Sequence, residues 1–171
     1  LAKPTKRCHL NYKKAIYAGT FDPFTKGHHA VVDKAINIFE SLTILVAQPP
    51  TKTPLISVKD RVQMLKKIFK NEPKIIISQW DGLIVDFAKK NKIGTIIRGL
   101  RPTGDFENEY QMSVMNNKLF PEVQTIFFMT EPGVNYISSS LVREIIGHGG
   151  NVNDFLPSEV ITFLKKIKRS K

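Results

Sequence analysis

Residues Lys14–Phe39, KAIYAGTFDPFTKGHHAVVDKAINIF, restrict the possible folds more than any other stretch of this chain. Ala15-Ile16-Tyr17-Ala18 is an apolar run too short for a helix and is closed by Gly19, so it reads as a buried strand. Gly19, Pro23 and Gly27 then punctuate the backbone in quick succession and describe a loop. Beyond Gly27, the apolar residues Val31, Val32, Ala35, Ile36 and Phe39 recur at helical spacing along one face. The unit is therefore strand, glycine-containing loop, helix.

Such a unit has a chemical use. The first amides of a helix lack intrahelical partners and lie at the positive end of its dipole, which suits a phosphate. Gly27 allows a ligand close to the backbone, His28 sits in the first turn, and Thr20 offers a hydroxyl at the strand end.

The rest of the chain bounds what such a site can serve. At 171 residues, with 42% hydrophobic and 24% charged, the sequence has enough apolar material for a real core. No apolar run approaches the ~20 residues of a membrane span, and no signal-peptide pattern opens the sequence. The single cysteine, Cys8, excludes an intramolecular disulfide and fits a reducing compartment. Beside His9 it lacks the further donors a metal site needs. The reading is a soluble, cytoplasmic protein with no membrane partner. The formal charge of +11 is uneven: Lys3, Lys6, Arg7, Lys13 and Lys14 at one end and Lys165, Lys166, Lys168, Arg169 and Lys171 at the other leave residues 15–164 at +1. A nearly neutral body argues against nucleic acid as the main partner.

Strand and helix signals then alternate. Leu42–Ala47 is a second strand, closed by Pro49-Pro50 and followed by Lys52 in a loop. Ser57-Val58-Lys59-Asp60 caps a helix with an apolar stripe of Val58, Val62, Leu65, Ile68 and Phe69, on which Arg61 reads as a surface or ion-pair residue. Lys74–Ser78 is a third strand, with Trp80 beside its end as a packing residue. Asp81 and Gly82 lead into a helix carrying Leu83, Ile84, Phe87 and Ala88. Gly94–Ile97 is a fourth strand, with Arg98-Gly99-Leu100-Arg101 directly after it. Two planar, permanently charged forks around a glycine suit phosphate recognition. Asp105–Leu119 is helical, with Phe106, Tyr110, Val114, Met115 and Leu119 on one side, and Gln124–Met129 is a fifth strand. Ser138-Ser139-Ser140 then opens a helix, gathering hydroxyls and free amides around one point, with Arg143 adding charge one turn later. A last helix over Pro157–Ile167 closes the fold.

Five strands alternating with helices predict a Rossmann-like, doubly wound α/β fold with a five-stranded parallel sheet and a C-terminal helix. Its ligand site lies beyond the carboxyl ends of the strands, at the switch point. Thr20 and His28, Lys52, Arg98 and Arg101, and the serine run all follow strands. Distant in sequence, they converge on one edge.

Thr25-Lys26-Gly27-His28 resembles the T/H-x-G-H motif of the nucleotidyltransferase α/β superfamily. With GTFDP…TKGH, RGLR…DFENE and ISSSLVRE in order, residues 14–164 are similar to the bacterial phosphopantetheine adenylyltransferase family. The resemblance implies transfer of AMP from ATP to 4′-phosphopantetheine, with Mg²⁺, giving dephospho-coenzyme A and pyrophosphate in the penultimate step of coenzyme A synthesis. The route it implies is in-line attack on the α-phosphate without a covalent enzyme intermediate. By matching position, Thr20, His28, Lys52 and Arg98 would carry catalysis, with Thr20, Lys52, Ile84 and Arg98 binding the acceptor. Thr20, Phe21, His28, Gly99, Leu100, Arg101, Glu109 and Val134, Asn135, Tyr136, Ile137, Ser138, Ser139 and Ser140 would line the ATP pocket. No residue is assigned as a metal ligand. The family's usual assembly, a homohexamer, is expected too. Residues 1–13 read as a flexible N-terminal extension and 14–171 as one nucleotidyltransferase domain.

The chain departs from the family pattern at Ala18, commonly proline, at Gly82, often aspartate, and at Asn108 and Val134, often aromatic. Two alternatives stay open on the sequence. Another superfamily member, such as a nicotinamide-nucleotide or cytidylyl transferase, would share His28 and the serine run but need a different acceptor pocket. A non-catalytic nucleotide- or nucleic-acid-binding module would instead use the basic tails.

Overall fold

The computed structural model describes residues 10–48, 54–101 and 106–169, the side chains of 168 and 169 excepted. The elements run β1 (Asn11–Gly19), α1 (Lys26–Ile38), β2 (Ser41–Ala47), α2 (Val58–Ile68), β3 (Ile75–Trp80), α3 (Ile84–Asn91), β4 (Ile93–Leu100), α4 (Phe106–Leu119), β5 (Gln124–Met129), α5 (Ser139–Gly147) and α6 (Ser158–Arg169). All strand pairs are parallel, and the five-stranded sheet has the order β3-β2-β1-β4-β5.

The apolar run of β1 explains its central place. Ala15 and Tyr17 belong to the core on one face of the sheet, and Ile16 and Ala18 to the core on the other. A strand buried on both faces needs apolar residues at every position, not at alternate ones. The first face is covered by α1, through Val31, Val32 and Ala35, together with Met64 and Leu65 of α2, Val142 of α5 and Val160 of α6. The second carries Val85, Phe87 and Ala88 of α3 with Phe120 and Val123. After β3 the chain crosses to β4 on the far side of β1, so the switch point lies between β1 and β4.

Three differences from the sequence reading bear on the site. The expected extension over residues 1–13 is shorter, because Asn11, Tyr12 and Lys13 already belong to β1. The Tyr12 ring lies over Gly94, and its hydroxyl donates to the Glu122 carbonyl at 2.8 Å. Residues 1–9, with Cys8 and His9, lie outside the described residues. Second, β4 does not stop at Ile97: Arg98, Gly99 and Leu100 continue the strand, paired with Phe127, Phe128 and Met129. A charge and a glycine end a typical strand, but here β5 supplies a partner out to position 100.

Third, the apolar side of α4 faces outward. Phe106, Tyr110, Val114, Met115 and Leu119 are all exposed, whereas Asn116 is the buried residue of this helix. Glu109, Met112 and Asn116, spaced three and four apart, form the side that looks into the cleft described below.

Candidate active site

A cleft of about 930 Å³ opens at the carboxyl edge of the sheet, lined from β1, α1, β4, α4 and the segment entering α5. Thr20, Phe21, His28, Ile84, Arg98, Gly99, Arg101, Glu109, Ile137, Ser138, Ser139 and Ser140 all contribute to its wall. Lys52 lies outside the described residues. Leu100 is buried within β4, and Val134, Asn135 and Tyr136 do not line the cleft. Tyr136 is exposed and meets Phe155 edge-on.

The sequence around His28 determines its chemical state. Thr25 is the N-cap of α1, and its side chain accepts the His28 amide at 3.3 Å. His28 Nδ1 in turn accepts the Thr25 amide at 3.0 Å, with the Thr25 hydroxyl also 3.0 Å away. A nitrogen that accepts from a backbone N–H holds a lone pair, so the proton of the neutral ring is on Nε2. Burial, then Arg101 and Arg98, lower the His28 pKa to about 4. The ring is gripped by Phe24, stacked at 5.5 Å, and by Phe21, edge-on at 5.2 Å. His28 is thus a fixed, neutral N–H donor.

Arg98 spans the switch point. Its Nη1 donates to the Ala18 carbonyl of β1 at 2.8 Å, while Nη2 and Nε donate to the two carboxylate oxygens of Glu109, the first at 2.6 Å. One guanidinium therefore ties β1, β4 and α4 at the cleft wall. The carbonyl it uses belongs to Ala18, the position commonly proline in the family. Tyr17 lines the same wall, and burial pushes its phenol well above the ordinary value.

Each residue of the serine run has a local partner. Ser138 caps α5 by accepting the Leu141 amide at 3.1 Å, Ser139 donates to the Pro23 carbonyl at 2.8 Å, and Ser140 accepts from Arg143 at 3.3 Å. Arg143, expected to add charge beside the serine run, also donates to the Asp22 carbonyl at 2.6 Å and does not line the cleft. These bonds seat the start of α5 against the loop after β1. Gly27 completes that seat: a Cβ there would stand 3.3 Å from the Val134 carbonyl oxygen and 3.5 Å from that of Ile137.

Gly82 is a departure with a structural reason. Its φ is +149° and a Cβ would lie 3.2 Å from Trp80 Nε1, so the backbone here favours glycine over aspartate. Trp80 donates to the Leu83 carbonyl at 3.0 Å and packs edge-on against Phe87, as a packing residue does. The cleft also includes Tyr17, Met112, Asn116 and Thr130, which sequence reasoning did not assign. For Asn116 a signal existed: it falls seven residues after Glu109, on the same side of the helix. Arg61, read as a surface or ion-pair residue, is buried, with 1% of its surface exposed.

A parallel sheet with a capped T-x-G-H turn and two arginines at its switch point defines a nucleotidyltransferase of the α/β type, and residues 16–145 match the cytidylyltransferase-like family model. The chain is 44% identical to phosphopantetheine adenylyltransferase of Caldanaerobacter subterraneus subsp. tengcongensis, over 91% of this chain and 98% of that one. It is 42% identical to the enzyme of the same name from Clostridium botulinum, over 90% and 94% of the two chains, and 43% identical to that from Lawsonia intracellularis, over 88% of each. The chain belongs to the phosphopantetheine adenylyltransferase family.

Proposed function

We propose that this chain transfers the adenylyl group of ATP to 4′-phosphopantetheine, releasing pyrophosphate and dephospho-coenzyme A. The acceptor's phosphate oxygen forms a bond to the α-phosphorus as the bond from that phosphorus to the α–β bridging oxygen breaks, and pyrophosphate leaves with the electron pair. A phosphate monoester is already anionic at neutral pH, so the reaction requires no base and no protein nucleophile. Positioning and charge stabilisation carry it.

The observation that supports this reading best is the capped, neutral His28. Its Nε2–H has no partner among the described residues, and it suits a non-bridging oxygen of the α-phosphate. Thr20 and Lys52 would meet the acceptor phosphate, and Arg98 and Ile84 would orient the acceptor. Gly99, Arg101 and Ser138–Ser140 would receive the nucleotide, with Glu109 acting through Arg98. Among the described residues no three His, Cys, Asp or Glu side chains converge as a metal site. Magnesium fits this donor set as part of MgATP, held by the phosphates and neutralising the departing pyrophosphate.

The exposed apolar side of α4 supports a homo-oligomer, with the hexamer as the expected assembly. Among the described residues no helix is long and apolar enough to cross a membrane. The reading places the enzyme in the cytoplasm, where ATP is available.

Pyrophosphate release from MgATP, measured with 4′-phosphopantetheine, with nicotinamide mononucleotide or with no acceptor, tests the proposal. Release dependent on 4′-phosphopantetheine is the expected result, and release with the other acceptor alone would overturn it.

A further inference from the structure

Arg61 belongs to α2 and stands outside the cleft lining, yet it is one of the most deeply buried side chains of the protein. Its Nε donates to the Ile56 carbonyl at 2.9 Å, and its Nη1 donates to the carbonyls of Thr20 and Ala47, the latter at 3.2 Å. These last two carbonyls lie at the tips of β1 and β2, whose pairing reaches Gly19–Val46 and then stops. A single guanidinium therefore spans two neighbouring strand ends where they no longer pair with each other, although Ala47 still pairs with Trp80 of β3.

The arrangement is costly. Burial lowers the Arg61 pKa, with Asp22 opposing the shift, and Nη2 has no hydrogen-bond partner among the described residues. An apolar side chain of similar volume would fill the space without desolvating a charge. What it could not do is hold two carbonyls at once. Asp22 closes the network, accepting the amides of Leu55 and Ile56 at 2.9 and 2.8 Å and so fixing the backbone that carries another Arg61 acceptor.

We infer that Arg61 is a positioning residue for adenylyl transfer, holding the β1 tip against the β2 tip so that Thr20 meets the acceptor phosphate in register. The inference rests on the function proposed above. Arg61 stands outside the cleft lining; its effect passes through Thr20, which lines the cleft.

The test compares Arg61→Lys, Arg61→Met, Thr20→Val and the double variant Arg61→Lys/Thr20→Val, each normalised to the number of ATP-binding sites. ATP affinity should stay within about 3-fold of wild type, while kcat falls and the acceptor KM rises, together by roughly 10- to 100-fold in Met and by less in Lys. Adding Arg61→Lys to Thr20→Val should cost under about 2-fold more, because both changes act through one group. Unchanged kcat per ATP site, equal shifts in both substrates' KM, fully additive losses, or variants that do not fold would each overturn the inference and leave Arg61 a plain stability residue. Wild-type protein run alongside separates the two proposals. If it shows no release with 4′-phosphopantetheine, the acceptor reading fails and takes this inference with it; normal wild-type release with additive variants removes the Arg61 role alone.

Discussion

Thr25 and His28 cap each other across the first turn of α1: the threonine hydroxyl accepts the histidine amide, and the histidine Nδ1 accepts the threonine amide at 3.0 Å. The cap that starts the helix therefore also chooses the tautomer of the side chain facing the cleft. A donor held before substrate arrives needs no reorganisation during the reaction, which is where such groups gain their effect.

His28→Asn should lower kcat by about 100- to 1,000-fold, the cost of removing one preorganised donor, while the Kd for ATP changes by less than about 3-fold. Single-turnover kinetics beside equilibrium ATP binding check this. A matching loss in ATP affinity, with turnover preserved at saturation, would contradict it.

The pH response follows from the same ring. Unfolded, the imidazole takes its proton near pH 6.5; folded, burial followed by Arg101 and Arg98 delays that to about 4. Between these values the unfolded chain binds more protons, so this contribution to stability is complete above about pH 6.5. It is lost as pH falls towards 4, by up to about 1.4 kcal/mol per pH unit. Urea midpoints of wild type should therefore drop more steeply between pH 7 and 5 than those of His28→Asn. The activity profile should show no His28 inflection between pH 5 and 8.

Glu109 should act through Arg98, whose Nε and Nη2 it receives. Glu109→Gln removes the charge from that pair, worth about 1.5–3 kcal/mol, and should raise the acceptor KM by roughly 10-fold or more. The KM for ATP should move by less than about 3-fold. Steady-state kinetics in both substrates give the answer, and a larger effect on ATP would place Glu109 against the nucleotide instead.

The exposed side of α4 makes a prediction about assembly. Tyr110 and Met115 are 54% exposed each, far more than isolated core-type residues need be. Tyr110→Glu together with Met115→Glu should shift the sedimenting species from an oligomer towards the monomer. A wild-type chain that sediments as a monomer would remove the interface.

The five parallel strands, their alternation with helices and the edge that carries the cleft were legible because periodicity and punctuation report backbone directly. Four apolar residues in a row at Ala15–Ala18, closed by Gly19, read as a buried strand, and the edge from which Thr20, His28 and the arginines project follows. What sequence could not resolve was where polar side chains spend their hydrogen bonds. Arg143, read as adding charge beside the serine run, donates to the Asp22 carbonyl, and the serines, while they line the cleft, also bond to local partners. Arg61 did carry a signal: with Val58, Val62 and Leu65 it falls on the apolar stripe of α2, so a charge there belongs inside. The α4 helix misleads in the opposite sense, since its apolar stripe faces out.

The absent side chain at Gly27 links two regions more than a hundred residues apart in the chain. Its α-carbon is the floor on which the Val134 and Ile137 carbonyls rest. A relative that acquired a side chain at position 27 would have to move the backbone of the 134–137 turn away by a few tenths of an ångström.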